Sequence, residues 1–481
     1  MKWLKYVKQV FLFNKLLFTL ISSISYNKIF KRDSEYLMNT LYNDIMNNGA
    51  VVIKFAQWIT TRYNIIYNTD KPKWLIKFNN LYENCNIHNI NYTAKLFEDI
   101  LDSTIEDYFK EFNKNPIASG SIGQVYKAIT KDNNTVAVKV MHPNIEIMSG
   151  VPIFYLKAYN YIFKNITFLR NYSLPFDIDN FFDDIQKQID FRYEYDNLVK
   201  FNNMYKDNNL IIFPKPIFKS KEILITSYEE GTFFEDLDIS EYKKYKIVQL
   251  MILFVRDSSI IQNFMHADLH QGNWKVRCND NEYALVIYDV GICIGFEEKT
   301  IKDFWFYWET SDRENLSKLF TRCIHYHPPN MTLDEIEDSI YRDISCHADK
   351  PTDASNTISE TLRYMNDNNI IMNSTWLSLC ISVSLLEDFF KKYGIVDDAT
   401  KIDSEKTKKD VFKIFYLNYI SYCNTNNIFP DLKKYLEECL DRANIKFDNL
   451  FSNLEHRLND EDNFKEINLD DEEDENIELS I

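Results

Sequence analysis

Along this chain of 481 residues the apolar positions change their period, and the changes mark its parts. From Tyr36 to about Phe112 apolar residues recur at helical spacing. Between Ile117 and Val140 the period shortens to two, giving a small-residue loop, a strand, the polar turn Lys131 to Asn134 and a second strand, VAVKV. A long helical region follows. Ile211 to Tyr228 then reads as two short strands, IIFPKPIF and EILITSY, which end at Glu229, Glu230 and Gly231. Lys243 to Gln262 is patterned as an amphipathic helix, and WKVRC, NDN and EYALVIYDVG predict a hairpin. Past Gly295 the spacing is helical to about Asp448. The expectation is an α+β chain in five segments: 1–35, a helical extension 36–112, a β-rich lobe 113–231, a helical lobe 232–450 and a tail 451–481.

Composition sharpens the two ends. Residues 1–32 carry Lys2, Lys5, Lys8, Lys15, Lys28, Lys31 and Arg32 with no acid, around an apolar run from Val10 to Ile24 that Asn14 and Lys15 interrupt. Three readings stand side by side: an interfacial amphipathic helix, an organelle-targeting presequence, and a helix packed on the body. Nine of the seventeen net negative charges lie between Arg457 and Ile481, which reads as an acidic, disordered tail. No basic stripe with interleaved aromatics is seen, so nucleic-acid binding is not expected. Eight cysteines without a C-x-x-C pair fit reduced thiols in an intracellular compartment.

With only nine glycines in the chain, those in motifs carry weight. The loop Ala118, Ser119, Gly120, Ser121, Ile122, Gly123, Gln124, Val125 has the phosphate-covering pattern G-x-G-x-x-G-x-V with alanine for the first glycine. Lys139 sits mid-strand, where an ammonium would hold nucleotide phosphates, and Glu194 is its expected carboxylate partner. Asp190 and Glu194, four apart in QIDFRYEYDN, are expected on one helix face. In HADLHQGNW, Asp268 and Asn273 have the separation of a catalytic carboxylate and a metal-binding amide, and Asp289 in Asp289-Val290-Gly291 would be the second metal ligand. Glu229, where one lobe hands over to the other, is placed at the nucleotide. Together these imply ATP and Mg²⁺. Cys323, His325 and His327, with Cys346 and His347, match no standard zinc spacing and are read as scattered side chains.

The helix GAVVIKFAQWITTR puts Lys54 and Gln57 on one face. Taken alone, Lys54 reads as a lysine snorkelling to water. Beside the other motifs, however, the chain resembles the UbiB family of atypical kinases, also called AarF-domain kinases. KFAQ is similar to the family's K-x-G-Q, VAVKVMHP to its lysine strand, QIDFRYEYDN to its E-x-D-F-x-x-E-x-x-N helix and HADLHQGN to its catalytic loop.

The resemblance implies a two-lobed protein-kinase-like fold whose helical extension packs over the active site, with Lys54, Gln57, Gln188 and Asp190 regulating it. It implies ATP hydrolysis or phosphorylation of a lipid or small molecule, in prenyl-quinone metabolism, at a membrane surface such as that of mitochondria. The chain departs from the pattern at Ala56, which favours a helix by roughly 1 kcal/mol over glycine, at Gln188 in place of Glu, and at Gly120 in place of Ala. Two other readings are kept: a pseudokinase scaffold switched by nucleotide, and a protein kinase, which the occluding helix disfavours.

Overall fold

The computed structural model describes residues 2–67, 71–78, 81, 87–165, 178–206, 208–239, 244, 247–248, 250–251, 254–255, 257–279, 282–309, 313–345 and 354–392. The chain divides into a unit of residues 1–407 and another of 408–481, and every described residue belongs to the first. The acidic tail, Cys346 and His347 lie outside the described residues, as do seven positions of the helix expected over Lys243 to Gln262, whose described residues 244, 247–248, 250–251 and 254–255 are helical. The end of that helix, Asp257–Ile261, is a π-helical turn.

Four helices precede the sheet lobe: α1 (Lys2–Phe30), α2 (Glu35–Asn47), α3 (Ala50–Ile66) and α4 (Lys73–Phe78). Phe13 and Leu16 of α1 are buried with Leu41, Ile45, Val52 and Ile53, and Asp44 takes hydrogen bonds from Lys15 (2.5 Å) and Thr19 (2.8 Å). A second stripe of α1, comprising Leu4, Val7, Phe11, Phe18 and Ile21, is exposed. Its spacing of three, four, seven and three residues puts these side chains on one face. Residues Trp3–Phe30 are long and apolar enough to cross a membrane by length and composition. Helix α3 starts from its N-cap Gly49, whose φ of +87° suits glycine.

Two short helices, α5 (Ile90–Leu101) and α6 (Ile105–Tyr108), lead into a sheet of β1 (Phe109–Phe112), β2 (Ala118–Ser119), β3 (Gly123–Thr130), β4 (Thr135–Met141), then α7 (Ile145–Asn165), α8 (Ile178–Gln188), α9 (Phe191–Met204), β5 (Ile211–Ile212), β6 (Pro216–Lys219) and β7 (Ile223–Ser227). The antiparallel order is β1-β3-β4-β7-β6, with β2 paired to β3. The sheet therefore opens four residues before the expected boundary at 113. The stretch IIFPKPIF is two strands instead of one, interrupted over residues 213–215: β6 stays in this sheet, and β5 pairs in parallel with the strand Glu282–Ile287 of a second sheet. Along β4 the two-residue period buries Val136, Val138 and Val140 with Phe97, Phe109, Tyr126, Ile223 and Ile225. The same alternation turns Ala137 and Lys139 to the opposite face, where they line a cleft.

The second lobe carries β8 (Met265–His266), the predicted hairpin β9 (Trp274–Asn279) and β10 (Glu282–Ile287), and β11 (Cys293–Ile294), which pairs with β8. Helices Glu298–Glu309, Arg313–Arg322, Leu333–Ser345, Ala354–Asp367 and Ser374–Lys392 complete it. The helix Ala354–Asp367 clamps the end of α3: Ser359 and Arg363 donate to the Ile65 and Ile66 carbonyls. The result is the two-lobed kinase-like fold, a β-sheet lobe on a helical one.

Between the lobes Tyr205, the C-cap of α9, donates to the buried Asp257 carboxylate at 2.6 Å. Burial pushes that carboxyl up to about 6, against the pull of the Tyr205 bond. A carboxyl whose folded pKa exceeds its unfolded value favours the fold below the unfolded pKa, and this contribution fades as pH rises through the folded one. Stability in urea should thus fall between pH 4 and 6 by on the order of 2 kcal/mol more in the wild-type than in Asp257→Asn.

Candidate active site

Between the two lobes lies a cleft of about 1060 Å³. Its walls gather Ala118, Ser119, Gly120, Ser121, Gly123 and Val125 from the loop, Lys139 from β4, Gln188 and Glu194 from the helices, and Asp268, Asn273 and Asp289 from the helical lobe. Every residue expected at a nucleotide or metal, Glu229 included, faces this one space.

Lys139 is the hub. Its Nζ donates to Glu194 Oε1 and Oε2 at 2.9 and 2.7 Å and lies 3.3 Å from Asp289 Oδ1. Burial disfavours charge on Lys139, but the Asp289 and Glu194 carboxylates more than offset it and hold the ammonium above its usual range. Burial also pushes the Glu194 carboxyl up, to about 7, although Lys139 pulls the other way. Asp289 is desolvated too, yet Lys139 and Lys54 hold it below the usual carboxylate range. The φ of Asp289 is +43°, a left-handed conformation in a non-glycine residue, so the backbone is strained where the carboxylate is aimed.

Asp190 does not share a helix face with Glu194. The chain breaks after α8, and Asp190 is the N-cap of α9, accepting from the Arg192 backbone N–H and pairing with its guanidinium. An Asx side chain competes for nearby backbone N–H groups better than it continues a helix, which ends the helix there. Glu194 thereby falls in the first turn of α9, buried and aimed at Lys139. Further along α9, Asn197 donates to the Val290 carbonyl at 2.8 Å, tying this helix to the Asp289 turn.

The catalytic-loop side is braced by His266. Its Nδ1 accepts the Asp268 backbone N–H at 3.1 Å and its Nε2 donates to the Tyr288 carbonyl, while burial keeps the imidazole pKa low. Asn273 donates to the Asp268 carbonyl at 2.8 Å, closing the loop over five residues. Lys54 Nζ lies 3.9 Å from Asp268 Oδ2, so the α3 lysine does reach over the cleft. Gln57 lines the cleft beside it while its amide donates to the Leu81 carbonyl at 2.7 Å. Glu229 lines the wall with its carboxylate bound to Arg277 (2.6 Å) and Ser227, and its carbonyl accepts from Tyr288.

The loop fits a phosphate-bearing ligand. The Ser119 hydroxyl is buried against the cleft with no hydrogen-bond partner. A Cβ on Gly123 would stand 2.6 Å from the Val140 carbonyl oxygen, so the loop approaches β4 as only glycine permits. Among the described residues no group of three or more His, Cys, Asp or Glu gathers as a metal cage. Asp289 and Asn273 would supply two ligands to Mg²⁺, and phosphate oxygens the remainder. Cys323 is buried, which pushes its thiol up to about 12, unlike a metal-binding thiolate.

The sequence assigned no role to His266, Arg277 or Asn197. Asn197 stands within the QIDFRYEYDN motif, and His266 opens HADLHQGN, so position in a motif was the available signal.

An ABC1 atypical kinase-like domain profile matches residues 80–320. A Dictyostelium discoideum relative described as a probable serine/threonine-protein kinase is 34% identical over 50% of this chain and 35% of its own length. A Saccharomyces cerevisiae ABC1 family protein, whose name places it in mitochondria, is 29% identical over 49% of this chain and 39% of its own. The chain thus spans well under half of these relatives. The solved Rv3197–erythromycin complex from Mycobacterium tuberculosis is 18% identical, with TM-score 0.40, over 62% of this chain and 83% of that one.

Gly123→Ala should lose about 1–3 kcal/mol in urea unfolding, from overpacking against β4. Gly120, whose Cβ would meet only the Gly123 carbonyl at 3.7 Å, should accept alanine within about 0.5 kcal/mol while nucleotide affinity or turnover changes.

Proposed function

Because the chain belongs to the ABC1 atypical kinase-like family, we propose that it is an ATP- and Mg²⁺-dependent atypical kinase or ATPase. The observation that carries this is the convergence of Lys139, Glu194 and Asp289 within one ion-paired cluster, facing Asp268 and Asn273 across the cleft. Lys139 would bind the α and β phosphates while Glu194 fixes its ammonium, and loop N–H groups would meet the phosphate oxygens. Bound Mg²⁺ would neutralise charge on the phosphates from the positions of Asp289 and Asn273. Asp268 would orient the acceptor and take its hydroxyl or water proton.

Lys54 stands beside that carboxylate, and α3 covers the approach a polypeptide acceptor would use. A small molecule or a lipid, in prenyl-quinone or related lipid metabolism, suits the remaining space better. Purified protein should hydrolyse ATP in the presence of Mg²⁺, with Asp289→Asn at least 100-fold slower. No ATP binding at millimolar concentration would refute the reading. Binding with turnover no faster than that of Asp268→Asn would favour the scaffold reading, which the Lys54–Asp268 contact motivates.

The exposed apolar stripe of α1, set among lysines and free of acids, supports attachment to an anionic membrane surface, mitochondrial as in the yeast relative. Cosedimentation with vesicles containing anionic lipid should weaken at least tenfold when Phe11 and Phe18 are both replaced by Asp. Unchanged sedimentation would remove the membrane from the account.

A further inference from the structure

Behind the nucleotide loop, on residues that do not line the cleft, two histidines meet ring to ring. His142 follows the Lys139 strand, and His88 precedes α5. Their Nδ1 atoms are 2.8 Å apart, with the rings perpendicular. His142 Nε2 is 2.9 Å from the Gly120 carbonyl, and the His142 backbone N–H donates to the Ile122 carbonyl at 2.8 Å. His88 Nε2 is 2.9 Å from the Thr93 hydroxyl, which is 2.9 Å from the Tyr126 hydroxyl. Gln124 closes the circuit: its amide donates to Tyr126, its Oε1 accepts the His88 backbone N–H at 2.9 Å, and its amide also reaches the His88 carbonyl. Thr93, Gln124 and Tyr126 are wholly buried.

The partners fix every proton. A carbonyl only accepts, so His142 carries its proton on Nε2 and offers Nδ1 as an acceptor. His88 must then carry its proton on Nδ1 and accept at Nε2 from Thr93, which accepts from Tyr126, which accepts from Gln124. A second proton on either ring would set donor against donor or orphan a buried hydroxyl. Burial, helped by the neighbouring His142, accordingly pushes His88 down to about 4, and burial lowers His142 as well.

We infer that His142, locked in one tautomer by His88, is a positioning residue that orients the Gly120–Ser121 peptide so that the Ser121 N–H is turned toward the phosphates of a bound nucleotide. The inference rests on the nucleotide reading above. Its geometry is that of a trans peptide, in which the N–H points opposite to the carbonyl. With the Gly120 carbonyl held from behind by a side chain outside the cleft, the Ser121 N–H faces the cleft its residue lines. A fixed donor there strengthens phosphate binding without any reorganisation when the ligand arrives. The adenosine part of the ligand has no contact with this latch.

The test measures binding of Mg²⁺–ATP and of adenosine to the full chain by calorimetry. His142→Leu should weaken ATP about tenfold and leave adenosine within twofold, and His142→Gln, which keeps a donor near the Gly120 carbonyl, should restore ATP binding to within threefold. Equal losses for ATP and adenosine, or no loss for ATP, overturn the latch. A wild-type chain that binds neither ligand overturns the nucleotide reading and the latch together, whereas wild-type binding with an indifferent His142→Leu overturns the latch alone. Should His142→Leu fail to fold, ¹⁵N-histidine NMR of the wild-type decides: an Nε2–H His142 and an Nδ1–H His88 support the inference, and the opposite tautomer at either ring overturns it.

Discussion

An ammonium buried between two carboxylates is the constraint on which the rest of this structure depends. Lys139 would be prohibitively desolvated without Glu194 and Asp289, and those carboxylates would repel each other without Lys139. Satisfying it requires three elements to meet: a sheet strand, the helix α9 and the turn after β10. Each is secured by a separate local device. The valines of β4 set which face Lys139 takes, the Asp190 cap starts α9 at the residue that brings Glu194 inward, and Asn197 holds the Asp289 turn to that same helix.

Much of this was legible in the sequence because it depends on order and short spacing. The loop glycines, Lys139, Asp268, Asn273 and Asp289 come from segments whose two-residue or turn periodicity fixes their orientation locally, and all of them line the cleft. What was not legible depends on competition between close alternatives or on long-range side-chain pairing. Asp190 and Glu194 have the right spacing for one helix, yet an Asx cap wins over continuation. Gln57 has the right phase to face the site and lines it, but that its amide is held by the Leu81 carbonyl depends on a partner distant in sequence. The split of IIFPKPIF followed from a proline whose effect on strand pairing depends on which sheet lies nearby.

The first helix shows the same limit. Its lysines and apolar run left three readings open, and the structure shows that one face packs on α2 and α7 while another stripe stays exposed. Packing and surface attachment are thus compatible in one helix. Gln9 beside the apolar run, and Lys15 and Thr19 within it, are accounted for by partners at Asn48 and Asp44.

The junction between the lobes has its own consequence. Tyr288 donates to the Glu229 carbonyl, Arg277 to the Glu230 carbonyl and the Glu229 carboxylate, and Thr232 exchanges backbone bonds with Val276. A hinge sewn on both sides to the hairpin beneath it resists bending, since every opening must break several bonds at once. The junction is thereby a fixed wall of the cleft, and it sets the spacing across which the loop and the helical lobe face each other.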